Sequence, residues 1–402
     1  MLMALDRIAV LCILVCPVFL LHGRAVADVL MVLTSLCFLA RSAITRDWAW
    51  LRTGWVIVAA VWWLWLLACS VRGGLMQAVV AVRFLVFVAA AEHWVLRIPW
   101  RRAWLARITA IAALYIALQS LLQVVTGRNL QGYRRWGDGE ITGPFEHPRA
   151  GAPFSRLLFP AVLPAMAWMN RWAGRALLVA SVLVVVLIGQ RMPLLLTGLG
   201  LFVTALLLPR LRAGVLAACV GAVLLVAASA VVVPPTFYRL VDKFSNQMEH
   251  FPDSPYGLIA MRAAAMIEAH PVTGLGFDGF RRDCAEPEYF RGWRGGDGGG
   301  ANVCVQHPHN HYLQAAVESG FPGLILFCAL VLAWLRPLAA GLWRDPAPLR
   351  VGLFVAALVQ EWPIASSSDL LSMPLSGWFF LLLGLGLAES RAYMTARTVR
   401  GV

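Results

Sequence analysis

The stretch Leu324–Leu335, LILFCALVLAWL, is twelve residues without a charge, proline or glycine. Polar sequence precedes it: RGGDGGGANVC, then HPHNHYLQAAVESGFPG from His307 to Gly323. The apolar run ends at Arg336, and the segment 318–336 reads as one membrane span. A helix needs roughly 17–25 mostly apolar residues to cross a bilayer. Comparable runs recur at 7–22, 25–40, 53–71, 75–95, 103–126, 152–169, 173–190, 193–208, 214–234, 350–363 and 372–389.

The 402 residues are 60% hydrophobic and 14% charged, more apolar surface than a soluble domain buries. The fold class is therefore an all-α polytopic membrane protein of about twelve transmembrane helices, one integral membrane domain over 1–402. The first run follows Arg7 and precedes AVA, a pattern a cleaved signal peptide also shows. The same alternation of span and basic loop continues behind it, which reads it as the first span.

The formal charge of +13 is almost all arginine, Lys243 being the only lysine. It is too dispersed for a nucleic-acid patch. With twelve spans, the arginine-rich connections fall on one side: RSAITRDWAWLR, LRIPWRRAWLAR, NRWAGR, PRLR and LRPLAAGLWRDPAPLR, with the tail RAYMTARTVR. The positive-inside rule then puts both termini in the cytoplasm. Two long outer segments remain, 127–151 and 235–310, the second too large for a plain connector and carrying a short helix near 257–269.

Six of eight cysteines lie in or beside apolar runs and read as inert. Cys284 and Cys304 bracket the glycine-rich part of the outer segment, where an oxidising compartment would join them. GLGFDG, Gly274–Gly279, matches a dinucleotide fingerprint, but a helix rather than a strand precedes it, so it reads as a turn. No P-loop lysine is present, and no nucleotide is expected.

His307, His309 and His311 admit three readings: zinc ligands, polar decoration where a helix enters the membrane with Asn310 as N-cap, or a catalytic base. Arginines at membrane depth are costly, and those that do not snorkel or pair usually have a function. Arg191 in IGQRMP, Arg262, Arg149 in EHPRAG and Arg156 are candidates for such a function, with snorkelling to the lipid headgroups as the alternative for each, and Arg83 reads best as a structural ion-pair or backbone-binding residue. Several guanidiniums with a histidine at the outer face suit a phosphate-rich lipid, whose oxygens they grip in pairs.

HPHNHYLQAAVESGFPGLILF resembles the hallmark segment of the O-antigen ligase and polymerase superfamily. RAAAMIEAHPVTGLGFDGF, GPFEHPRAGAPFSRLLFP and IGQRMPLLLTGLG resemble its other outer motifs, so the similarity covers about 140–335. EHPRAG departs from the asparagine-rich form of its motif at His147. The resemblance implies a lipid-carrier-dependent (GT-C-type) glycosyltransferase in the bacterial inner membrane, with its active site on the periplasmic face. It would move O-antigen glycan from undecaprenyl diphosphate to a lipid A–core sugar, inverting the anomeric centre without metal or cofactor. By motif position His309 is the base, with Arg191 and Arg262 stabilising the leaving diphosphate. Arg149, Asn310, His307, Glu318 and His147 are substrate-binding candidates. The same motifs fit an O-antigen polymerase or a protein O-oligosaccharyltransferase. A polyprenyl-glycan transporter would instead show paired mid-membrane charges and an internal repeat, and neither is evident.

Overall fold

A computed structural model describes residues 1–137, 139–147 and 149–400, without the side chains of Val399 and Arg400. Asp138 and Pro148 of the 127–151 segment, and the last two residues of the 1–402 domain, lie outside the described residues.

Each of the twelve apolar runs is helical. The first nine helices are α1 Leu2–His22, α2 Arg24–Thr45, α3 Gly54–Cys69, α4 Leu75–His93, α5 Pro99–Thr126, α6 Gly151–Met166, α7 Arg171–Ile188, α8 Arg191–Leu207 and α9 Arg212–Val232. Four shorter helices follow: α10 Pro234–Phe237, α11 Lys243–Glu249, α12 Pro255–Ala269 and α13 Gly279–Asp283. The chain closes with α14 His311–Ala339, α15 Pro348–Gln360 and α16 Leu375–Arg400. Among the described residues, eight helices are long and apolar enough to cross a membrane, and α8 and α15 are shorter apolar helices.

Up-and-down order gathers the connections at two ends. One end holds the α5–α6 and α9–α14 segments, the α7–α8 turn and the 361–374 stretch. The other holds the arginine-rich turns, where three ion pairs tie helices together: Arg101 to Asp6 at 2.6 Å, Arg102 to Glu389 at 2.8 Å and Arg391 to Glu92 at 2.6 Å. Arg83 bonds Asp28 at 2.7 Å, joining α4 to α2. That is the structural ion pair expected of a mid-span arginine.

Two stretches organise the first end. Helix α14 breaks where Ser319 leaves helical geometry and Gly320 takes φ 65°. A side chain at Gly320 would strike the Val272 carbonyl at 2.3 Å, so only glycine fits. The freed carbonyls are taken by the GLGFDG turn: Leu275 N donates to Val317 O and Gly276 N to Glu318 O, each at 2.8 Å. The G-x-G stretch is thus a lock on a helix break. Beside it, the disulfide Cys284–Cys304, Cα atoms 5.7 Å apart, closes the glycine-rich loop.

Candidate active site

A cavity of about 520 Å³ opens at this end, between α8, α11, α12 and the start of α14. Arg191, Arg239, Gln247, Tyr256, His309 and Asn310 are among its lining residues.

Gly189, at φ 74°, ends α7, and Arg191 is the first residue of α8. Its guanidinium therefore sits at a helix N-terminus, where backbone N–H groups add to its positive field. Arg191 Nη1 donates to Gln247 Oε1, and the guanidinium lies 6.0 Å from the Phe244 ring. Arg239 pairs with Glu140 at 2.8 Å and donates to the Gly189 carbonyl at 3.1 Å. Gln190 Nε2 donates to the same Glu140 at 2.5 Å. Glu140 thereby fixes the α7–α8 turn and one of the two arginines.

Asn310 is the N-cap of α14. Its Oδ1 accepts from Tyr312 N at 2.9 Å and Leu313 N at 3.0 Å. Its Nδ2 donates to the carbonyls of Pro363 at 2.7 Å and Ala365 at 3.1 Å. One side chain therefore starts the helix and fastens it to the 361–369 stretch.

The residue before it, His309, is held at φ 54°, a left-handed conformation that costs a non-glycine residue of order 1 kcal/mol or more. Its carbonyl accepts from Ser367 N at 2.7 Å. Its ring meets Tyr256 edge-on at 5.7 Å and His307 at 4.5 Å. Burial lowers its pKa below the ordinary histidine value, partly opposed by the Ser367 backbone, so the neutral ring is favoured.

The other two histidines have separate partners. His307 Nε2 donates to Ser367 O at 3.2 Å, and burial with the neighbouring His309 lowers its pKa to about 4. His311 is buried, with Nδ1 2.9 Å from Glu361 Oε2 and Nε2 2.9 Å from Ser368 O. Both ring nitrogens are thus engaged by protein partners. No group of three His, Cys, Asp or Glu among the described residues could hold a metal ion.

The remaining expected site residues lie elsewhere. Arg262 is fully buried under the disulfide loop. It donates to the carbonyls of Cys284, Gly298 and Gly300, the last two at 2.6 Å, and stacks over Phe290 at 5.0 Å. It is the hub of that loop and does not line the cavity. Glu318 is buried beneath the GLGFDG turn, accepting from Asp278 N at 3.1 Å and Gln314 Nε2 at 3.0 Å. Arg149 and His147 line a second cavity of about 560 Å³, with His22, Arg24 and Trp378.

Arg239, Gln247 and Tyr256 were not among the expected residues, nor was the segment Glu361–Asp369, EWPIASSSD. Six hydrogen bonds or ion contacts from His307, His311, Asn310 and Tyr312 end on that segment. Its run of three serines, between two apolar runs, is the one signal that could have marked it.

Residues 176–328 match the O-antigen ligase family, which supports placing the chain in the O-antigen ligase-like superfamily. Members of that family are glycosyltransferase-like membrane ligases and polymerases that use lipid-linked glycans. Comparison with curated proteins returns no match. The matched stretch contains Arg191, Arg239, Arg262, the disulfide and His309.

Proposed function

We propose that the chain is an O-antigen ligase of the inner membrane, moving glycan from undecaprenyl diphosphate to a lipid A–core sugar. The observation that carries this reading is the convergence of Arg191 and Arg239 with a neutral-leaning His309 on one cavity. Twelve crossings, cytoplasmic termini and a periplasmic cavity are part of the proposal. They are supported by the gathering of the arginine-rich turns at the opposite end of the bundle.

In the proposed reaction the acceptor hydroxyl oxygen attacks the anomeric carbon. The bond from that carbon to the diphosphate oxygen breaks, and its electron pair leaves with the diphosphate. His309 takes the hydroxyl proton, which a histidine with a lowered pKa can do at neutral pH. Negative charge grows on the leaving oxygen, where the positions of Arg191 and Arg239 oppose it. Attack from the face opposite the leaving group inverts the anomeric centre. Arg262 acts at a distance in this scheme, by tying the disulfide loop to α12, the helix whose Tyr256 and Ala260 line the cavity.

The test is transfer by the purified protein from undecaprenyl-diphosphate glycan to lipid A–core. Loss of transfer in both His309→Ala and Arg191→Ala is the expected result. Full activity in both variants rejects the site. A deletion strain that accumulates long unattached glycan identifies the ligase, and one that makes single-repeat lipopolysaccharide identifies a polymerase instead.

A further inference from the structure

Arg156 belongs to no step described so far. It lies in the second turn of α6 and is 8% exposed. Its Nη1 is enclosed and has no hydrogen-bond partner among the described residues. A guanidinium taken from water without a partner is strongly disfavoured, so its retention calls for an anion. Glu361, the carboxylate that acts on it through space, gives Oε2 to His311 Nδ1 at 2.9 Å, while its Oε1 is enclosed without a hydrogen bond among the described residues and makes none to Arg156.

Arg156 faces a recess of about 70 Å³, lined also by Gln360, Ser366, Ser367 and Ser368. The Oγ atoms of Ser367 and Ser368 and Oε1 of Gln360 are likewise enclosed without partners. Arginine and serine side chains all donate, and an amide flip lets Gln360 donate too. Several unmet donors at one small recess form a set that complements a tetrahedral oxyanion. The recess takes a phosphate-sized group and is too small for a sugar ring. It adjoins the main cavity, sharing Ala152, Met192, Pro193, Ala365 and Ser366 with it. Ser367 is also the residue whose backbone bonds His309.

We infer that Arg156 with Ser366–Ser368 and Gln360 forms an oxyanion subsite beside the main cavity, holding one phosphate group of a substrate. Only the identity of the anion rests on the proposed transfer reaction. Two sources share this chemistry: the second phosphate of the lipid carrier, and a phosphate borne by the acceptor core. Binding there would press on the segment that holds His309, linking occupancy to placement of the base.

The experiment measures binding to the full chain in lipid nanodiscs. The probes are a short-chain polyprenyl diphosphate, its monophosphate, a phosphorylated core oligosaccharide, its phosphatase-treated form, and inorganic phosphate. The variants are Arg156→Met and a Ser367→Ala/Ser368→Ala double substitution, whose lost hydroxyls have no partner among the described residues. Expected is a tenfold or greater loss by Arg156→Met for one phosphate-bearing probe, with an unchanged or higher melting temperature without ligand. Loss confined to the diphosphate over the monophosphate identifies the carrier. Loss confined to the phosphorylated oligosaccharide identifies the acceptor. If Arg156→Met does not fold, a fall in affinity in the serine variant supports the subsite. Wild-type affinity for every probe in the folded variants overturns it. Should wild type ignore both lipid and core probes yet bind inorganic phosphate through Arg156, the transfer reading fails and the subsite stands.

Discussion

The backbone N–H of Ser367 donates to the carbonyl of His309 at 2.7 Å, across 58 positions of sequence. This bond holds the proposed base in its left-handed conformation, since a histidine at φ 54° relaxes unless its surroundings fix it. Replacing Ser367 by proline removes the donor. We expect kcat to fall about 100-fold, as misplaced catalytic groups do, with an added rise in KM only for the substrate whose phosphate the Ser367 hydroxyl holds. Steady-state transfer kinetics decide it. A raised KM with kcat unchanged would mean that the segment serves binding alone.

His309 and His311 separate chemistry from stability. His309→Ala should lower transfer by about 10²–10⁴-fold, the usual worth of a general base, while leaving the melting temperature near wild type. His311→Ala strands buried Glu361 and the Ser368 carbonyl. It should cost about 1–3 kcal/mol of stability for each buried group left without its partner. Parallel thermal melts and activity assays check both, and the reverse pattern would exchange the two roles.

The pH profile follows from the His309 environment. The base works as the neutral ring, so activity falls as acid protonates it. Burial lowers its pKa, which moves the acid limb of kcat/KM below the ordinary histidine value of 6.5. A limb above 6.5, or its persistence in His309→Ala, would assign the titration to another group.

His307 gives a separate stability signal. Its folded pKa is about 4 against 6.5 unfolded, so between those values the unfolded chain binds more protons. Stability is fully present above 6.5 and declines as pH falls toward 4, by at most about 1.4 kcal/mol per pH unit. His307→Gln should flatten that decline in melting curves taken across the window. An unchanged slope would place the effect elsewhere.

Arg262 should behave as a loop hub. Arg262→Leu leaves three carbonyls without their donor. The expected loss is about 3 kcal/mol or more, with faster proteolysis between Cys284 and Cys304. Arg262→Lys should recover little, because a single ammonium cannot reproduce the planar fork. Normal protease resistance with abolished transfer would return Arg262 to the chemistry.

Much of this was legible locally. The apolar runs became helices because a bilayer-length run of such residues has one way to satisfy its backbone. Asn310 could be read as an N-cap, and Arg191 as a helix-end cation, from their immediate neighbours. Arg262 could not be read so. Its partners lie 22 to 38 residues onward, in a glycine loop with no pattern of its own. Arg239 is set by Glu140 and Gly189, from two different connections.

The sequence by itself determined that the chain is a helical membrane protein with its basic turns at one end and its histidine cluster at the other. Hydropathy and charge act residue by residue and survive any packing. Only the tertiary structure decided which side chains share a cavity. It gave three adjacent histidines unlike partners, sent Arg262 beneath the disulfide loop, and left Arg156 facing three serines more than 200 residues away. Those outcomes depend on where each buried donor and acceptor finds a partner, and that is settled by helices meeting in space.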